Sequence, residues 1–282
     1  VSYSEGGVTK TTTTPVTVTS ISNTLASNSW ATIRAVSDAG KGSNYWSVGD
    51  AKGITINGKV GATTISNLAI SVFILGFNHN ASREGSNRIH FQIGKINGTL
   101  VGLVDGNYSN YTSTTGAFTM NTSNTNSGGW NNSHMRKTVL GSNSASATSP
   151  TANTLLAALP ADLRAVMKPA TKYSDNTGGG SDAASYVTST TDLLPLLSEF
   201  EYHGARSYAN SAEKNYQAQY DYYRAGNSKV HYKHNATGTA ARAWCRSVGS
   251  GNNYYFCLVG AGGGANGSYA GSSWALAPCF FV

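Results

Sequence analysis

The chain has few charged residues. Asp, Glu, Lys and Arg make up 12% of its 282 residues, and only 13 of these are acidic. A glycosidase needs two carboxylates that face one cleft, and a calcium site needs several clustered oxygens, so both kinds of site have few candidate residues here. Gly, Ser, Thr and Asn are abundant instead. The resulting neutral polar surface is common in extracellular and virion proteins.

No long apolar run is present, and no stretch approaches the ~18 apolar residues of a membrane span. No basic-then-apolar leader is visible at Val1. Because the first residue is not Met, we expect further sequence upstream. Residues 1–25 are rich in Thr and Ser, with Val16 and Val18 alternating with Thr, and we expect an extended stem or linker there. Residues 26–282 are then expected to form one domain, since 39% hydrophobic content can fill a core.

Cysteine is scarce as well. Cys245, Cys257 and Cys279 are an odd set, whereas secreted scaffolds usually carry an even number. One disulfide with a spare thiol is possible, but the apolar settings favour three buried free cysteines. Their spacing fits no zinc site. We expect no metal and no other cofactor.

The positive charge is not concentrated. The net charge is +7, from 20 Lys and Arg against 13 Asp and Glu. A nucleic-acid-binding protein would gather this charge in a patch, but the densest basic stretches, Arg136-Lys137 and 229–233, are short. We therefore expect no nucleic-acid partner. A weak general attraction to anionic cell-wall polymers remains open.

Periodicity predicts a mixture of short helices and strands. Trp30, Ile33 and Val36 are spaced for a helix that ends near Gly40. In the first half of the chain we predict a strand at 53–61 with a turn at Asn57-Gly58, and paired central strands at 67–79 and 87–98 with Ile89, Phe91 and Ile93 on a buried face. A surface loop at 105–129 and short helices at 133–141 and 151–167 follow, the second helix with Thr154 or Asn153 as its N-cap and a break at Pro160. The remaining predicted elements are a strand at 166–174, a flexible stretch at 174–182, a strand at 190–204 with Pro195 near its start, a weak helix at 215–226, and closing strands. The pattern indicates an irregular α+β domain.

Several motifs of this chain resemble those of a domain-of-unknown-function family of Gram-positive bacteria and their prophages. In order, they are GGWNNSHMRKTVLG (128–141), LPADLRAVMKPATKYS (159–174), STTDLLPLLSEFEYHG (189–204), YDYYRAG (220–226), AWCRS (243–247), YFCLVGAGGGA (255–265) and ALAPCFFV (275–282). That family is similar to the formylglycine-generating-enzyme variant of the C-type lectin fold. The resemblance implies such a fold, with a C-terminal segment that returns to the core and chain ends that lie close together.

The resemblance also bears on residues 248–273. Phage tropism proteins of the same fold carry a stretch before the C-terminus that a retroelement diversifies, and its products are rich in Asn, Tyr, Ser and Gly. Here these 26 residues include eight Gly, four Ser, three Asn and three Tyr, with no charge. Independently, Tyr gives rigid amphipathic contact, while Ser, Gly and Asn give adaptable hydrogen bonds.

We expect this segment to display a ligand-binding surface between the anchored flanks 244–246 and 277–281. The expected contact residues are Asn252, Asn253, Tyr254, Tyr255, Asn266, Tyr269 and Ser272. Alternation along YYFCLVG predicts that Phe256 or Cys257 is buried and that one of the two tyrosines is exposed. The alternative is a Gly-rich loop that only closes the fold, with Tyr254 and Tyr255 packed inside.

No catalytic residues are expected. The copper-binding cysteines of formylglycine-generating enzymes form a close pair, whereas Cys245 and Cys257 are twelve residues apart. No G-x-S-x-G nucleophile elbow occurs. Glu199 and Glu201 would share one face of the predicted strand, but a solvated or Arg-paired strand end is the favoured interpretation. The six histidines are expected to be surface or satisfied polar residues, with adventitious metal chelation by His231 and His234 left open.

Two functions follow. The first is a non-enzymatic ligand-recognition domain of a phage virion, such as a tail or head fibre or receptor-binding protein, or of a bacterial surface adhesin. Its expected partners are a host surface glycan or protein and, through the stem, other virion or surface proteins, with a homotrimer among the expected assemblies and with no membrane contact. The alternative is a structural or decoration protein of a virion that has no external ligand.

Overall fold

The computed structural model describes residues 2–5, 8–11, 20–109 and 118–282. The strands are β1 (Ser2–Glu5), β2 (Val8–Thr11), β3 (Ala51–Val60), β4 (Thr63–Phe77), β5 (Ile89–Ile96), β6 (Thr99–Gly102), β7 (Ala170–Asp175), β8 (Val187–Asp192), β9 (His231–Lys233), β10 (Ala236–Ala241), β11 (Ala243–Val248), β12 (Tyr255–Val259), β13 (Ala265–Tyr269) and β14 (Cys279–Phe281). The helices are α1 (Trp30–Asp38), α2 (Gly42–Tyr45), α3 (Ala81–Glu84), α4 (Gly129–Asn132), α5 (Leu155–Ala158), α6 (Ala161–Arg164), α7 (Glu199–His203) and α8 (Asp221–Arg224). A π-helical turn covers Met135–Val139, and 3₁₀ turns cover Leu25–Ser27, Ala184–Tyr186 and Ser211–Asn215.

A seven-stranded sheet forms the centre of the molecule. Its order is β10-β9-β6-β5-β4-β3, with β14 also paired to β5. β4 and β5 pair antiparallel, with Phe77 opposite Ile89, which confirms the predicted central pair. Ile89, Phe91 and Ile93 are buried as predicted, and the opposite face of β5 is buried as well, with the polar side chains of His90 and Gln92. The molecule is a single mixed α+β domain with several sheets.

The C-terminus lies inside the core. Val282 exchanges backbone hydrogen bonds with Ile89, and the hydroxyl of Ser37 donates to the Val282 carbonyl at 2.5 Å. The rings of Phe280 and Trp30 are in edge contact, 6.1 Å apart. The end of the chain therefore packs against α1, the first long helix of the domain.

The helices are short, and α1 and α5 end where the sequence predicts an ending. Ser29 caps α1 by accepting from the amide of Thr32, and Gly40 follows its end at φ +68°. Thr154 caps α5, and Pro160 separates α5 from α6, as predicted.

The large apolar side chains expected in the core are buried. Trp30, Trp130, Trp244, Trp274 and Phe280 are all within the hydrophobic core, together with Phe256 and Leu258 of β12. A second cluster contains the three cysteines, which are free and buried as favoured from the sequence.

Three local predictions are wrong. Asn57-Gly58 is not a turn, because β3 continues through it with a bulge between Ile56 and Gly58. Gly58 stands there at φ +151°, and a Cβ on it would lie 3.2 Å from the Cβ of Ala158, so the glycine lets α5 approach the sheet. In the predicted loop at 105–129, Phe118, Thr119 and Met120 are buried.

The third error concerns 190–204, which is not a strand. β8 ends at Asp192, and α7 begins after Ser198. Ser198 and Glu201 form a capping box, in which the Ser198 side chain accepts from the Glu201 amide while the Glu201 carboxylate accepts from the Ser198 amide. This S-x-x-E spacing is a helix-start pattern, and it outweighs the extended preference of the preceding Leu and Pro residues.

Residues 1, 6, 7 and 12–19 of the predicted stem lie outside the described residues, as do residues 110–117 of the predicted loop. Within the stem, Ser2–Glu5 pairs antiparallel with Val8–Thr11. Val16 and Val18 are not described. No helix among the described residues is long and apolar enough to cross a membrane.

Candidate functional site

The β12–β13 hairpin presents tyrosine side chains at the surface. Tyr255 and Tyr269 are register partners, and their rings are perpendicular with centroids 4.8 Å apart. Hydrogen bonding to Tyr269 raises the pKa of Tyr255. The ring centroids of Tyr254 and Tyr269 are 6.4 Å apart. Tyr254 is 48% exposed and Tyr269 is 40% exposed. Phe256 is buried and Tyr254 is exposed, as predicted, but Cys257 is buried too, because β12 is covered on both faces from Phe256 to Val259.

The other four predicted contact residues behave differently from one another. Asn253 is exposed beside Tyr254. Asn252 is half-buried, and its side-chain oxygen accepts from the amides of Tyr254 and Tyr255, so it shapes the turn. Asn266 lies beside Gly260 on the face of β13 opposite to Tyr269, as strand alternation requires.

Ser272 was predicted to lie on the exposed surface that contacts the ligand, but it is buried. Its side chain is 0% exposed and lies in the polypeptide that leads from β13 into the core. The amide of Ser272 donates to the Tyr269 carbonyl in a tight turn, which directs the following residues toward buried Trp274. Serine is small enough to be buried there, and its polarity in the sequence gave no indication of this.

Tyr208 comes from a distant part of the sequence and lies beside the β11–β12 connection. It is 45% exposed, and its carbonyl accepts from the amide of Ser250 at 2.7 Å, at the tip of the β11–β12 connection. We call Tyr208, Asn253, Tyr254, Tyr255 and Tyr269 the tyrosine face. No sequence pattern connects Tyr208 to the hairpin, since the two segments meet only through tertiary contacts.

Asn126 holds the turn that carries Asn253 and Tyr254. The side chain of Asn126 is fully buried and donates to the carbonyls of Asn252 and Tyr255 at 2.9 and 3.1 Å, while its backbone amide donates to the Asn253 carbonyl. Its side-chain oxygen accepts from Gly179 at 2.8 Å. A Cβ on Gly178 would lie 1.9 Å from the Asn126 carbonyl oxygen, so only glycine fits beside Asn126.

Glu199 holds the loop that carries Tyr208. Its buried carboxylate accepts from the backbone amides of Ser207, Tyr208 and Ala209 at 2.7 to 3.1 Å. Glu199 sits at the start of α7, where its own amide donates to the Ser247 hydroxyl. Glu199 therefore links the loop, through its carboxylate, to β11, through its amide, and β11 is the strand that leads into the hairpin.

Charges near the tyrosine face are compensated. The connection from Val248 to Ser273 has no charged residue. Where the Tyr208 loop meets it, Arg206 donates to Asp182 at 3.2 Å and to the Ser250 hydroxyl at 2.8 Å. The face is therefore neutral although the chain as a whole carries +7.

A buried ionic cluster lies beneath α7, and sequence reasoning did not predict it. The ammonium of Lys172 is 2.5 Å from the Glu84 carboxylate and 2.9 Å from that of Glu201, and it donates to the Tyr220 hydroxyl. Arg246 pairs with Glu201 through both of its terminal nitrogens. Two cations and two carboxylates balance, and none of these side chains is more than slightly exposed.

Glu199 and Glu201 do not form a carboxylate pair. They lie in a helix rather than a strand, and their carboxylates point to different partners: the Tyr208 loop for Glu199, and Arg246 with Lys172 for Glu201. Burial alone would raise the pKa of Glu201, but Arg246 and Lys172 hold it below its ordinary value. The Arg-paired interpretation holds for Glu201, although not at a strand end.

The histidines are less exposed than expected. His90 and His231 are fully buried, and their Nε2 and Nδ1 atoms respectively have no hydrogen-bond partner among the described residues. Burial lowers the pKa of His231 to about 4 and that of His79 to about 3, so these rings are neutral at pH 7. His234 accepts from the amide of Val104, whereas His231 packs against Tyr202, so the two rings have separate partners.

Within the described ranges, His79, Glu84 and Glu201 bring three possible metal-ligand atoms within 4.8 Å of one another. Lys172 already places its ammonium against both carboxylates. A divalent ion added there would leave excess positive charge in a buried site, which is costly. The chemistry of the cluster therefore favours an ammonium over a metal.

The cysteines are unsuited to metal chemistry. Burial raises the pKa of Cys279 to about 12 and raises the pKa values of Cys245 and Cys257 well above their ordinary range. The thiolate is the metal-binding and nucleophilic form, and at pH 7 these groups remain thiols.

No protein-family model, no curated protein and no solved structure matches this chain.

Proposed function

We propose that this chain is a non-enzymatic recognition domain that binds its ligand through the tyrosine face. One observation carries the proposal: the large hydrophobic residues that are exposed in the described part of the chain are Tyr208, Tyr254 and Tyr269, two on the β12–β13 hairpin and one bonded through its backbone to the β11–β12 connection. Exposed aromatic residues gathered from separate segments are typical of binding surfaces, because Tyr buries a large area and keeps its hydroxyl hydrogen-bonded.

The way the face is held supports the proposal. Asn126 and Glu199 are buried, and each makes several hydrogen bonds to the backbone of a tyrosine-bearing loop. Loops fixed in this way lose little conformational entropy when a ligand binds. A loop that only closes the fold would not need these buried hydrogen bonds to its backbone, since a flexible connection would close the fold equally well.

The titratable groups support a non-enzymatic role. The largest cluster of acids and bases, around Lys172 and Glu201, is buried and satisfied by its own ion pairs. A catalytic group must touch its substrate, and burial keeps a substrate from reaching this cluster.

We place this domain on a phage virion, as part of a tail or head fibre or receptor-binding protein, or on a bacterial surface as an adhesin, with a C-type lectin-like fold of the formylglycine-generating-enzyme type. Its partner would be a host surface glycan or protein, and the Thr-rich stem would join it to other virion or surface proteins, with a homotrimer as one assembly. The resemblance of seven ordered motifs and the neutral polar composition support this setting.

Adsorption to cells tests the proposal. The variant Y208S/Y254S/Y269S removes the exposed rings, and Tyr45→Ser changes a half-buried tyrosine on α2 as the control. Fluorescently labelled parent and variants are added to a panel of Gram-positive cells, with folding checked by thermal melting. We expect adsorption to fall at least about tenfold in the triple variant and to persist in the control. Parental adsorption by a folded triple variant would show that the tyrosine face does not bind the cell, and lack of adsorption by the parent would favour the structural or decoration role instead.

A further inference from the structure

We infer that the tyrosine face recognises an uncharged glycan, with sugar rings stacked on Tyr254 and Tyr269. This inference rests on the proposed function and names the class of its ligand. A pyranose ring presents C–H groups on its face and hydroxyls around its edge. It therefore fits a surface that combines exposed aromatic rings with neutral hydrogen-bonding groups.

The charge distribution separates neutral from anionic ligands. A protein of net charge +7 could offer lysines to an anionic polymer, yet the 26 residues from Val248 to Ser273 offer none. The guanidinium of Arg206, which reaches the β11–β12 connection, is already paired with Asp182 and bonded to Ser250. An anionic polymer would therefore gain little from this face, and binding there should not depend on salt.

The kind of exposed side chain favours a glycan over a protein as the ligand. The exposed large hydrophobics in the described ranges are tyrosines, with no Leu, Ile, Met or Phe among them. Protein interfaces bury an apolar centre in which Tyr, Trp, Phe, Met and Arg are all enriched, and of these this face exposes only Tyr. A face of phenol rings without aliphatic residues lacks such a centre and suits a hydroxyl-rich ligand.

The geometry of the rings favours stacking. Tyr255 meets the Tyr269 ring at 90°, so Tyr255 supports Tyr269 from the side. Tyr254 stands next to Tyr269, tilted by 55°, at a centroid distance of 6.4 Å. The exposed amide of Asn253 lies beside Tyr254 and can both donate to and accept from sugar hydroxyls.

Retention on immobilised oligosaccharides tests the inference. The panel contains neutral gluco-, galacto-, manno- and rhamno-oligosaccharides, with oligogalacturonate and polyglycerol phosphate as the anionic probes. The full chain and the variant Y254S/Y269S are applied at about 50 and about 500 mM salt, conditions that span weak and strong screening. We expect retention on at least one neutral probe, little change with salt, and a loss of at least about tenfold in the variant.

Two results would overturn the inference. One is retention on the anionic probes alone, falling steeply with salt. The other is retention on no neutral probe by a chain that still adsorbs to cells through its tyrosines. In either case tyrosine-dependent adsorption to cells would leave the proposed function standing, and sensitivity of that adsorption to protease would assign a protein ligand. Adsorption that the tyrosine substitutions do not change would instead remove the proposed function itself.

Discussion

Arg246 and Glu201 form a doubly hydrogen-bonded ion pair in which neither side chain is exposed. The pair joins β11 to α7, and Lys172 on β7 binds the same carboxylate. We expect Glu201→Gln to destabilise the protein by about 3 to 5 kcal/mol, because two buried cations lose their shared counter-charge. Denaturant unfolding of parent and variant measures the difference.

An exposed ion pair provides the control for this prediction. Arg224 pairs with Asp221 one turn away on α8, and the Arg224 side chain is mostly exposed. Arg224→Ala should cost less than about 1 kcal/mol, since solvent screens the pair. Equal losses in the two variants would show that burial of Glu201 contributes nothing extra.

The sequence predicted the parts of the fold that depend on local patterns. The spacing of Trp30, Ile33 and Val36 predicted α1, and the apolar runs predicted β4 and β5. The ionic cluster could not be predicted, because Glu84, Lys172 and Arg246 are far apart in the chain and meet only when the sheets pack. Helix α7 could have been predicted from Ser198 and Glu201, but the neighbouring leucines and Pro195 favoured a strand.

In the candidate site, too, local patterns predict some residues and miss others. The sequence predicted a buried residue at Phe256 or Cys257, but alternation could not predict that both are buried, since neighbouring residues of a strand lie on opposite faces and both faces of β12 are covered. The same rule places Asn266 on the face opposite to Tyr269 once the register of β13 is known. Tyr208 was missed because its proximity depends on Glu199 and Ser250, and no local pattern encodes it.

Glu213 should make stability depend on pH. Burial raises its pKa to about 7, against an ordinary value of 4.5. Between these values the folded protein keeps a proton that the unfolded chain releases. Stability from this group is therefore present below about pH 4.5 and is lost as the pH rises to about 7, by about 1 kcal/mol per pH unit.

The variant Glu213→Gln isolates this effect. Buried histidines such as His231 act in the opposite direction, because their lowered pKa values make the protein less stable as the pH falls below about 6.5. The difference between parent and Glu213→Gln in unfolding free energy, measured from pH 4 to 8, removes the histidine contribution. A difference that stays constant over this range would contradict the raised pKa of Glu213.

Trp274 should anchor the end of the tyrosine-bearing segment. It is 3% exposed, its indole nitrogen donates to the Ser268 hydroxyl at 2.9 Å, and its ring meets Tyr108 edge-on. We expect Trp274→Ala to cost about 3 to 5 kcal/mol through lost burial and the remaining cavity. Trp274→Phe should cost less because most of the volume stays. An unfolding free energy unchanged by the alanine substitution would rule out this core role.

Chelators and divalent ions should not change the melting temperature. The Lys172 ammonium sits against Glu84 and Glu201, which are the carboxylates that a metal near His79 would need. Thermal melts in EDTA, Ca²⁺ and Zn²⁺ should coincide with the melt in buffer. A rise of several degrees that grows with ion concentration would reveal binding to the folded state, and Glu84→Gln would show whether the ion occupies this cluster.

Glu199 should control the order of the Tyr208 loop. Its two carboxylate oxygens accept four hydrogen bonds from three successive amides, with Ala209 the closest at 2.7 Å. Glu199→Gln turns one acceptor into a donor that faces a backbone N–H, so at least one amide loses its partner. We expect amide hydrogen exchange at Ser207–Ala209 to accelerate about tenfold to a hundredfold, which corresponds to about 1 to 3 kcal/mol.

Exchange in β4 should stay as in the parent, and adsorption to cells should weaken as the loop becomes less ordered. If the loop amides of the variant exchange at the parental rate, the carboxylate does not hold Tyr208 in place.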